Sequence, residues 1–243
     1  MTPGWLPSYL QVRKLEGRLL SDHLVAQLPR LPTGHPLSRE WMARADSSRR
    51  VLAYFDAVEG PRTIIDAGCG NGWLAAALAG LPQAVVFGVD ANAIELEQGR
   101  RVFGSNPNLK FVAGDLETMA APAEPVDAIV LASVIQYVAD LGALIRRLLG
   151  WLADGGELHV LDSPIYQSDE VAAAHDRSLA HYAALGVPEM AGVYRHHTWS
   201  EFEPFRPTIL HRTKPSAGRL LRRFIGPVET PFPWLLIRPE RPA

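Results

Sequence analysis

The stretch IIDAGCGNG at residues 64–72 decides the fold of this chain. A short apolar run ends at Asp66, and glycines follow at alternate positions, Gly68, Gly70 and Gly72. Glycine lets a backbone turn sharply and approach a ligand closely, where a Cβ atom would obstruct it. Because a helix-compatible segment comes next, the stretch predicts a strand, a tight ligand-binding loop and a helix.

The same alternation of short apolar runs and helical segments continues from residue 62 to 163. Continuous apolar runs are typical of strands in a parallel sheet that is covered on both faces, and each helical segment closes on glycine. The predicted fold is therefore α/β, a doubly wound and mostly parallel sheet. The predicted strands are TIIDA (63–67), AVVFGVD (84–90), LKFVAGD (109–115), VDAIVLAS (126–133) and GELHVLD (156–162), and the predicted helices lie within 71–80, 91–104 and 140–156.

Two helical segments precede this core. The amphipathic segment 8–28 ends before Pro29 and is expected to form a cap. Residues 37–60 are expected to form one long helix that begins with Ser38 as its N-cap and packs on the edge of the sheet. We therefore predict an N-terminal helical cap and packing helix at residues 1–60.

The α/β domain is predicted to span residues 61–243. A helical segment followed by the aromatic and histidine-rich stretch GVYRHHTWSEFEPF makes an insertion at about 165–205, which we expect to cover the active site. Two more strands are predicted at 207–212 and 233–239, separated by a short basic helix.

Composition limits the partners. A net charge of -2 and a pI near 6.4 give no field that would hold a polyanion, so a small-molecule substrate is expected rather than DNA. Cys69 is the one cysteine, the N-terminus lacks the pattern of a signal peptide, and the apolar stretch 74–90 is interrupted by Pro82. We expect a cytoplasmic protein with no transmembrane segment, and the sequence does not indicate its oligomeric state.

Carboxylates follow the second and third predicted strands. Asp90 lies about 20 residues beyond the glycine loop, where dinucleotide folds place the acidic residue that accepts hydrogen bonds from ribose hydroxyls. Asp115 and the next backbone amide are placed to bind the edge of an adenine. A dinucleotide fingerprint needs its third glycine at position 73, which is Trp73, so NAD is disfavoured.

With these features residues 62–163 resemble the class I S-adenosylmethionine-dependent methyltransferases, which have a Rossmann-like fold. The resemblance implies S-adenosylmethionine as cofactor and S-adenosylhomocysteine as product. It places the methionine and ribose portion at the glycine loop, the ribose hydroxyls at Asp90, and the adenine at Asp115. The cofactor-binding residues that it implies are Asp66, Gly68, Cys69, Gly70, Asn71, Gly72, Asp90, Ala91, Asp115, Leu116 and Ser133. Asp66 is equally compatible with a structural role in the loop, and Cys69 is assigned no chemistry of its own.

The substrate end is less specific. The sequence ASVIQYV at 132–138 lacks the Asn-Pro-Pro-aromatic or Asp-Pro-Pro-aromatic motif of enzymes that methylate bases, and resembles the branch that acts on small metabolites. Tyr137, Tyr166, His196 and His197 are predicted as substrate contacts or a general base, although a general base is needed only for some acceptors. Further candidates for substrate contact are Ser163, His175, His181, Tyr182, Tyr194 and Trp199. The histidines show no metal-ligand spacing, so no metal is expected.

Two more groups of residues each allow two interpretations. Trp41, Arg44 and Ser48 share a helical face that either lines the pocket or, as we favour, packs on the sheet. A basic face made by Arg212, Lys214, Arg219, Arg222 and Arg223 either touches an anionic ligand or is solvated, and we favour the latter.

The sequence thus predicts an S-adenosylmethionine-dependent methyltransferase that acts on an oxygen, nitrogen or carbon atom of a small organic acceptor. Two alternatives stay open: a regulatory or scaffold protein that binds the cofactor without turnover, and, less favoured, an NAD-dependent oxidoreductase.

Overall fold

The computed structural model describes residues 3–60, 62–212 and 228–239. The predicted basic helix, with Lys214, Arg219, Arg222 and Arg223, lies outside the described residues, whereas Arg212 is exposed at their edge.

A seven-stranded sheet forms within this part of the chain, in the order β3-β2-β1-β4-β5-β7-β6. The first five strands run parallel, and β7 pairs antiparallel with both β5 and β6. This confirms the predicted mostly parallel, doubly wound sheet. Its strands are β1 (Arg62–Ala67), β2 (Ala84–Asp90), β3 (Leu109–Ala113), β4 (Val126–Ala132), β5 (Leu152–Leu161), β6 (Thr208–His211) and β7 (Trp234–Ile237).

Helices cover both faces of the sheet, because alternate side chains along β4 are apolar and point to opposite faces. Ala128 and Val130 belong to one hydrophobic core, whereas Ile129 and Leu131 belong to the core on the opposite face. The buried side chains on both faces supply the main driving force for folding. The helices are α1 (Leu6–Leu15), α2 (Asp22–Val25), α3 (Ser38–Asp56), α4 (Trp73–Leu78), α5 (Ala93–Phe103), α6 (Leu141–Leu149), α7 (Val171–Ala184), α8 (Met190–Val193) and α9 (Trp199–Phe202).

The amphipathic segment 8–28 does not form one continuous helix. Two short helices form instead, because Gly17 adopts a left-handed backbone conformation with φ of +67° and ends the first of them. Ser21 then caps α2 by accepting a hydrogen bond from the Leu24 amide.

Two details of the long helix α3 are also wrong in the prediction. Ser38 is the first helical residue rather than the N-cap, and its hydroxyl donates to the His35 carbonyl. The helix lies across a face of the sheet rather than at its edge, since the ring centroid of Phe55 is 5.0 Å from that of His159 on β5. The helix within 140–156 ends at Leu149, and β5 begins at Leu152, earlier than the strand predicted from residue 156.

A buried polar cluster ties α3 to the last strands. The His159 ring is fully buried, with Nε2 3.2 Å from Glu157 and Nδ1 accepting a hydrogen bond from the Trp234 indole. The Tyr54 hydroxyl donates to the Glu157 carboxylate, which also pairs with Arg238. Burial alone raises the pKa of Glu157, but the hydrogen bonds from His159, Arg238 and Tyr54 outweigh it and lower the pKa to about 2.

We expect Glu157→Gln to lower the free energy of unfolding by about 1 to 3 kcal/mol at pH 7, since charged hydrogen bonds are weakened. The folded-state pKa lies below the ordinary value, so this stabilisation is complete above about pH 4.5 and lost as the pH falls towards 2. Denaturant titrations across this range measure the difference. The control is Glu97→Gln, because Glu97 is exposed and pairs with Arg100 at the surface. Its free energy of unfolding should fall by less than about 0.5 kcal/mol. Equal unfolding midpoints for Glu157→Gln and the unchanged protein at pH 7 would contradict the prediction.

Candidate functional site

A cavity of about 1610 Å³ opens beyond the carboxyl ends of the central strands. Gly68 and Gly70 border it after β1, Ser133 after β4, and Asp162 after β5. Because β1 lies between β2 and β4, the chain departs in opposite directions along the sheet at this point, which is where open α/β sheets bind ligands.

The glycine loop is held tightly at this switch point. Gly68 has a φ of +78°, and a Cβ atom there would lie 2.5 Å from the Cγ2 atom of Val134. The amides of Gly68 and Cys69 both donate to the Val89 carbonyl, at 2.7 and 3.0 Å. The loop after β1 therefore contacts both neighbouring strand ends, and glycine is required at position 68 for conformation as well as space.

Asp90 is bound to the loop by backbone hydrogen bonds. The amide of Gly70 donates to one carboxylate oxygen and the amide of Asn92 to the other, each at 2.7 Å. Burial, followed by the nearby Glu95 carboxylate, raises the pKa of Asp90 to about 6 despite these hydrogen bonds. A carboxylate has about four acceptor positions, so Asp90 keeps room for ligand hydroxyls. It lies directly behind Gly70 rather than on the cavity wall.

An ion pair from the N-terminal segment closes this end of the cavity. Arg13 on α1 pairs with Glu95 on α5 at 3.1 Å, and both residues line the cavity. Glu95 is buried and also accepts a hydrogen bond from the Asn92 side chain at 3.0 Å. Arg13 therefore brings the cap into contact with the predicted cofactor end.

Asp66 lies beneath the loop and is almost fully buried, with 2% of its surface exposed. Its Oδ2 atom has no hydrogen-bond partner, and burial, followed by the Asp90 charge, raises its pKa to about 7. A structural or a ligand role for Asp66 fits this position.

The predicted adenine end adjoins Asp90 through the backbone. The Gly114 amide donates to the Asp90 carbonyl at 2.9 Å, and Asp115 accepts a hydrogen bond from the Glu117 amide at 3.0 Å. Leu116 is buried in the core. Neither Asp115 nor Leu116 lines the cavity, nor do Gly72 and Ala91, whereas Cys69 and Asn71 do.

Aromatic residues form the other walls and the roof. Tyr137 stacks on Trp5 with 5.8 Å between ring centroids, and its ring edge contacts Tyr9 of α1 and Tyr194. Val12 of α1 packs in one apolar cluster with side chains of the 165–205 segment, namely Tyr182, Val187, Met190 and Ala191. The cap and this segment thus meet over the cavity.

The four predicted substrate contacts separate into two pairs. Tyr137 and Tyr166 line the cavity, whereas His196 and His197 do not. His196 lies behind the wall, with its ring against Tyr166 and Tyr194 and its Nε2 atom 2.9 Å from the Ser178 hydroxyl.

His197 is buried and its ring nitrogens face acceptors on two elements. Nε2 donates to the carbonyls of Ile135 and Val138, at 2.9 and 3.1 Å, and Nδ1 lies 2.9 Å from the Glu201 carboxylate. This arrangement supports an anchoring role for His197, because neither nitrogen faces the cavity.

The remaining candidates divide in the same way. Trp41 and Arg44 line the cavity with the guanidinium 5.4 Å from the indole centroid, but Ser48 bonds to a carbonyl of its own helix. Tyr182, Tyr194 and His181 line the cavity, whereas Ser163, His175 and Trp199 do not.

Several residues that line the cavity were missed by sequence reasoning. Asp162 follows β5 directly, so the strand-end rule applied to Asp90 and Asp115 would have found it. It accepts hydrogen bonds from Ser47 at 2.7 Å and Thr230 at 3.2 Å, and burial raises its pKa. Others among them are Arg13, Arg18, Arg39, Gln136 and Arg177, and no sequence signal joins these arginines to the glycine loop.

Among the residues that the structure describes, no group of three His, Cys, Asp or Glu side chains could hold a metal ion. Within the same residues, no helix has the length and apolar character needed to cross a membrane.

Comparisons with known proteins bear on the loop end of the site. Residues 64–156 match the family model described as "Methyltransferase domain". The malonyl-[acyl-carrier protein] O-methyltransferase of Halalkalibacterium halodurans is 36% identical over 107 residues, 42% of this chain and 40% of that protein. The trans-aconitate 2-methyltransferase of Methylobacterium radiotolerans is 36% identical over 141 residues, 56% of this chain and 52% of that protein. The matches thus span about half the length of these relatives or less.

Solved structures extend the likeness of the fold over most of the chain. Geranyl diphosphate methyltransferase in complex with SAM has a TM-score of 0.59 at 16% identity, covering 87% of this chain and 93% of that one. The plantazolicin methyltransferase BpumL in complex with SAH has a TM-score of 0.52 at 17% identity, covering 95% and 100%. Residues 64–156 therefore match a methyltransferase domain, and the fold over most of the chain is that of S-adenosylmethionine-dependent methyltransferases.

Proposed function

We propose that this chain transfers the methyl group of S-adenosylmethionine to a small organic acid. The observation that carries the proposal is one continuous cavity lined both by the glycine loop and by aromatic and arginine side chains. Its volume of about 1610 Å³ exceeds the roughly 300 to 1,000 Å³ of common ligand pockets, so a cofactor and an acceptor have room together.

The residues at the loop end fit the cofactor. Ser133 and the backbone of Gly68 to Gly70 border the cavity, and Asp90 behind them keeps acceptor positions for hydroxyl groups. Gln136 presents a buried side-chain oxygen with no partner. These groups suit a ligand that carries hydroxyls and a cation.

S-Adenosylmethionine supplies an electrophilic methyl group on a sulfonium. The protein has to hold the acceptor in line with that group and exclude water, and positioning of this kind accounts for much of the rate in such displacements. Tyr9 and Tyr137 close the roof between the cap and the sheet, which supports the exclusion of water. A carboxylate acceptor is already ionised at pH 7, so no general base is required.

Arginines support an acidic acceptor. Arg18 and Arg44 line the cavity but are paired with Glu40. Arg39 on α3 and Arg177 on α7 also line it, and neither side chain forms an ion pair or hydrogen bond with a described residue. Both are exposed, so each guanidinium group is free to bind an anionic ligand, and arginine matches the geometry of a carboxylate.

The named relatives give independent support. Their names give malonyl-[acyl-carrier protein] and trans-aconitate, and both the malonyl group and trans-aconitate carry a free carboxyl group. The matched regions cover only part of each protein, so this agreement supports the class of acceptor and not either compound. Aromatic lining by Tyr166, Tyr182 and Tyr194 suits a flat or apolar body attached to the acid group.

The alternative is a protein of the same fold that binds the cofactor without turnover. Formation of S-adenosylhomocysteine in the presence of a panel of organic acids separates the two functions. We also propose that the N-terminal cap ends at residue 60 and that residues 165–205 cover the active site. The protein is proposed to be cytoplasmic.

We expect the affinity for S-adenosylhomocysteine to fall as the pH drops through about 6, because Asp90 accepts hydrogen bonds best as a carboxylate. At pH 7.5 we expect Asp90→Asn to bind S-adenosylhomocysteine at least about tenfold more weakly than the unchanged protein. The affinity of this variant should no longer fall as the pH drops through about 6. Calorimetric titrations between pH 5 and 8 measure both effects. The control is Asp66→Asn, because the nearby Asp66 has a pKa of about 7 and could otherwise account for the pH dependence. The affinity of this control for S-adenosylhomocysteine should still fall as the pH drops through about 6. An unchanged affinity in Asp90→Asn would refute the assignment.

We expect Arg39→Ala and Arg177→Ala to raise the KM for an acid acceptor about tenfold each, since each removes a charged hydrogen-bond donor. The affinity for S-adenosylhomocysteine should not change. Initial rates with organic acids and their uncharged amides provide the measurement, and the amides should be poor acceptors for the unchanged enzyme. Arg30→Ala is the control, because Arg30 is exposed and does not line the cavity. Equal turnover of acids and amides would contradict the acidic acceptor while leaving methyl transfer in place.

A further inference from the structure

Gln136 lies in the short 3₁₀ helix Ile135–Tyr137 that follows β4, and its side chain lines the cavity with 8% of the residue exposed. The side-chain amide nitrogen donates to the Ser133 carbonyl at 2.7 Å. The side-chain oxygen Oε1 is buried and has no hydrogen-bond partner. Buried acceptors are rarely left without a donor in native proteins, so this oxygen points to a ligand that donates a hydrogen bond.

The backbone around Gln136 is fixed from the side opposite the cavity. The Arg195 amide donates to the Gln136 carbonyl at 2.7 Å, and His197 binds the carbonyls of Ile135 and Val138. With the amide nitrogen also engaged at Ser133, the free oxygen is held in place before any ligand arrives. This is the preorganisation that a binding group requires.

Gln136 belongs to the loop end of the cavity. Val134, two residues earlier, is so close to Gly68 that a Cβ atom would not fit between them. Ser133 and Gly68 line the same cavity as Gln136. The oxygen is therefore presented near the glycine loop.

The charges near the loop favour a cationic donor. Asp66, Asp90 and Glu95 gather on one side of it, and burial together with their mutual repulsion raises the pKa values of the two aspartates. Arg13 is paired with Glu95. A positive ligand group lowers the energy of this arrangement, whereas a neutral hydroxyl would not offset the charge.

We propose that Oε1 of Gln136 accepts a hydrogen bond from the α-ammonium group of the methionine portion of the cofactor. The inference rests on the proposed function, because it requires that the chain binds S-adenosylmethionine. It makes Gln136 a cofactor-binding residue that recognises the amino-acid end rather than the nucleoside.

Two ligands test the inference by binding alone. S-Adenosylhomocysteine carries the ammonium group, and 5′-deoxy-5′-methylthioadenosine keeps the nucleoside and sulfur but lacks the amino acid. We expect Gln136→Leu to weaken S-adenosylhomocysteine about tenfold and to change the affinity for methylthioadenosine less than twofold. Calorimetric titration of the full-length protein provides both values, and thermal unfolding checks that the variant is folded.

Gln136→Glu separates ligand binding from support of the loop. This variant keeps an oxygen acceptor but loses the amide nitrogen that binds the Ser133 carbonyl. Binding to the ammonium group predicts that it retains the preference for S-adenosylhomocysteine over methylthioadenosine. A purely structural role predicts that both variants lose affinity for both ligands to a similar extent, and that result would overturn the inference.

The failures of the two proposals are distinguishable. If the unchanged protein binds neither ligand, the proposed function fails and this inference fails with it. If the unchanged protein binds S-adenosylhomocysteine and Gln136→Leu binds it equally well, only the role of Gln136 is refuted.

Discussion

The close approach of Gly68 to Val134 is the constraint on which the site depends. It joins the loop after β1 to the loop after β4 across the switch point of the sheet, and a side chain at position 68 would force them apart. Ser133 is consequently held with a φ of +61° and its hydroxyl donates to the carbonyl of Asp162 after β5. Three strand ends are thus locked together, which gives the cavity a floor that side chains from distant segments can use. Backbone strain of this kind persists only where surrounding contacts enforce it.

The roof depends on contacts of a different kind. Val12 of α1 packs against the cluster formed by Tyr182 and Met190, and Ser8 donates to Glu189 at 2.7 Å. Arg13 of the same helix reaches Glu95 at the loop end. One short helix therefore contacts both the 165–205 segment and Glu95, which lies beside the glycine loop.

The sequence predicted the strands and the glycine loop because their signals are local: apolar runs, glycines at fixed spacing and carboxylates at strand ends. It did not predict Arg13 or Arg177, since each reaches the cavity only through tertiary packing of its helix. The two histidines looked like catalytic groups from composition alone, yet His197 is used to hold the loop after β4. The break at Gly17 was missed because an amphipathic pattern continues on both sides of it. Asp162 directly follows β5, so its signal is as local as those of Asp90 and Asp115.

Groups of both charges lie at the cavity, which suits the proposed chemistry. Asp66, Asp90 and Glu95 lie close to the glycine loop and favour a cation, whereas Arg39 and Arg177 on the cavity wall favour an anion. Transfer of a methyl group from a sulfonium to a carboxylate turns this cation and anion into two neutral products. Because charge disappears during the reaction, water would stabilise the reactants more than the transition state, and an aromatic roof that excludes water opposes this effect. In the proposed reaction the arginines therefore have to bind the acid strongly enough to orient it without neutralising the attacking oxygen.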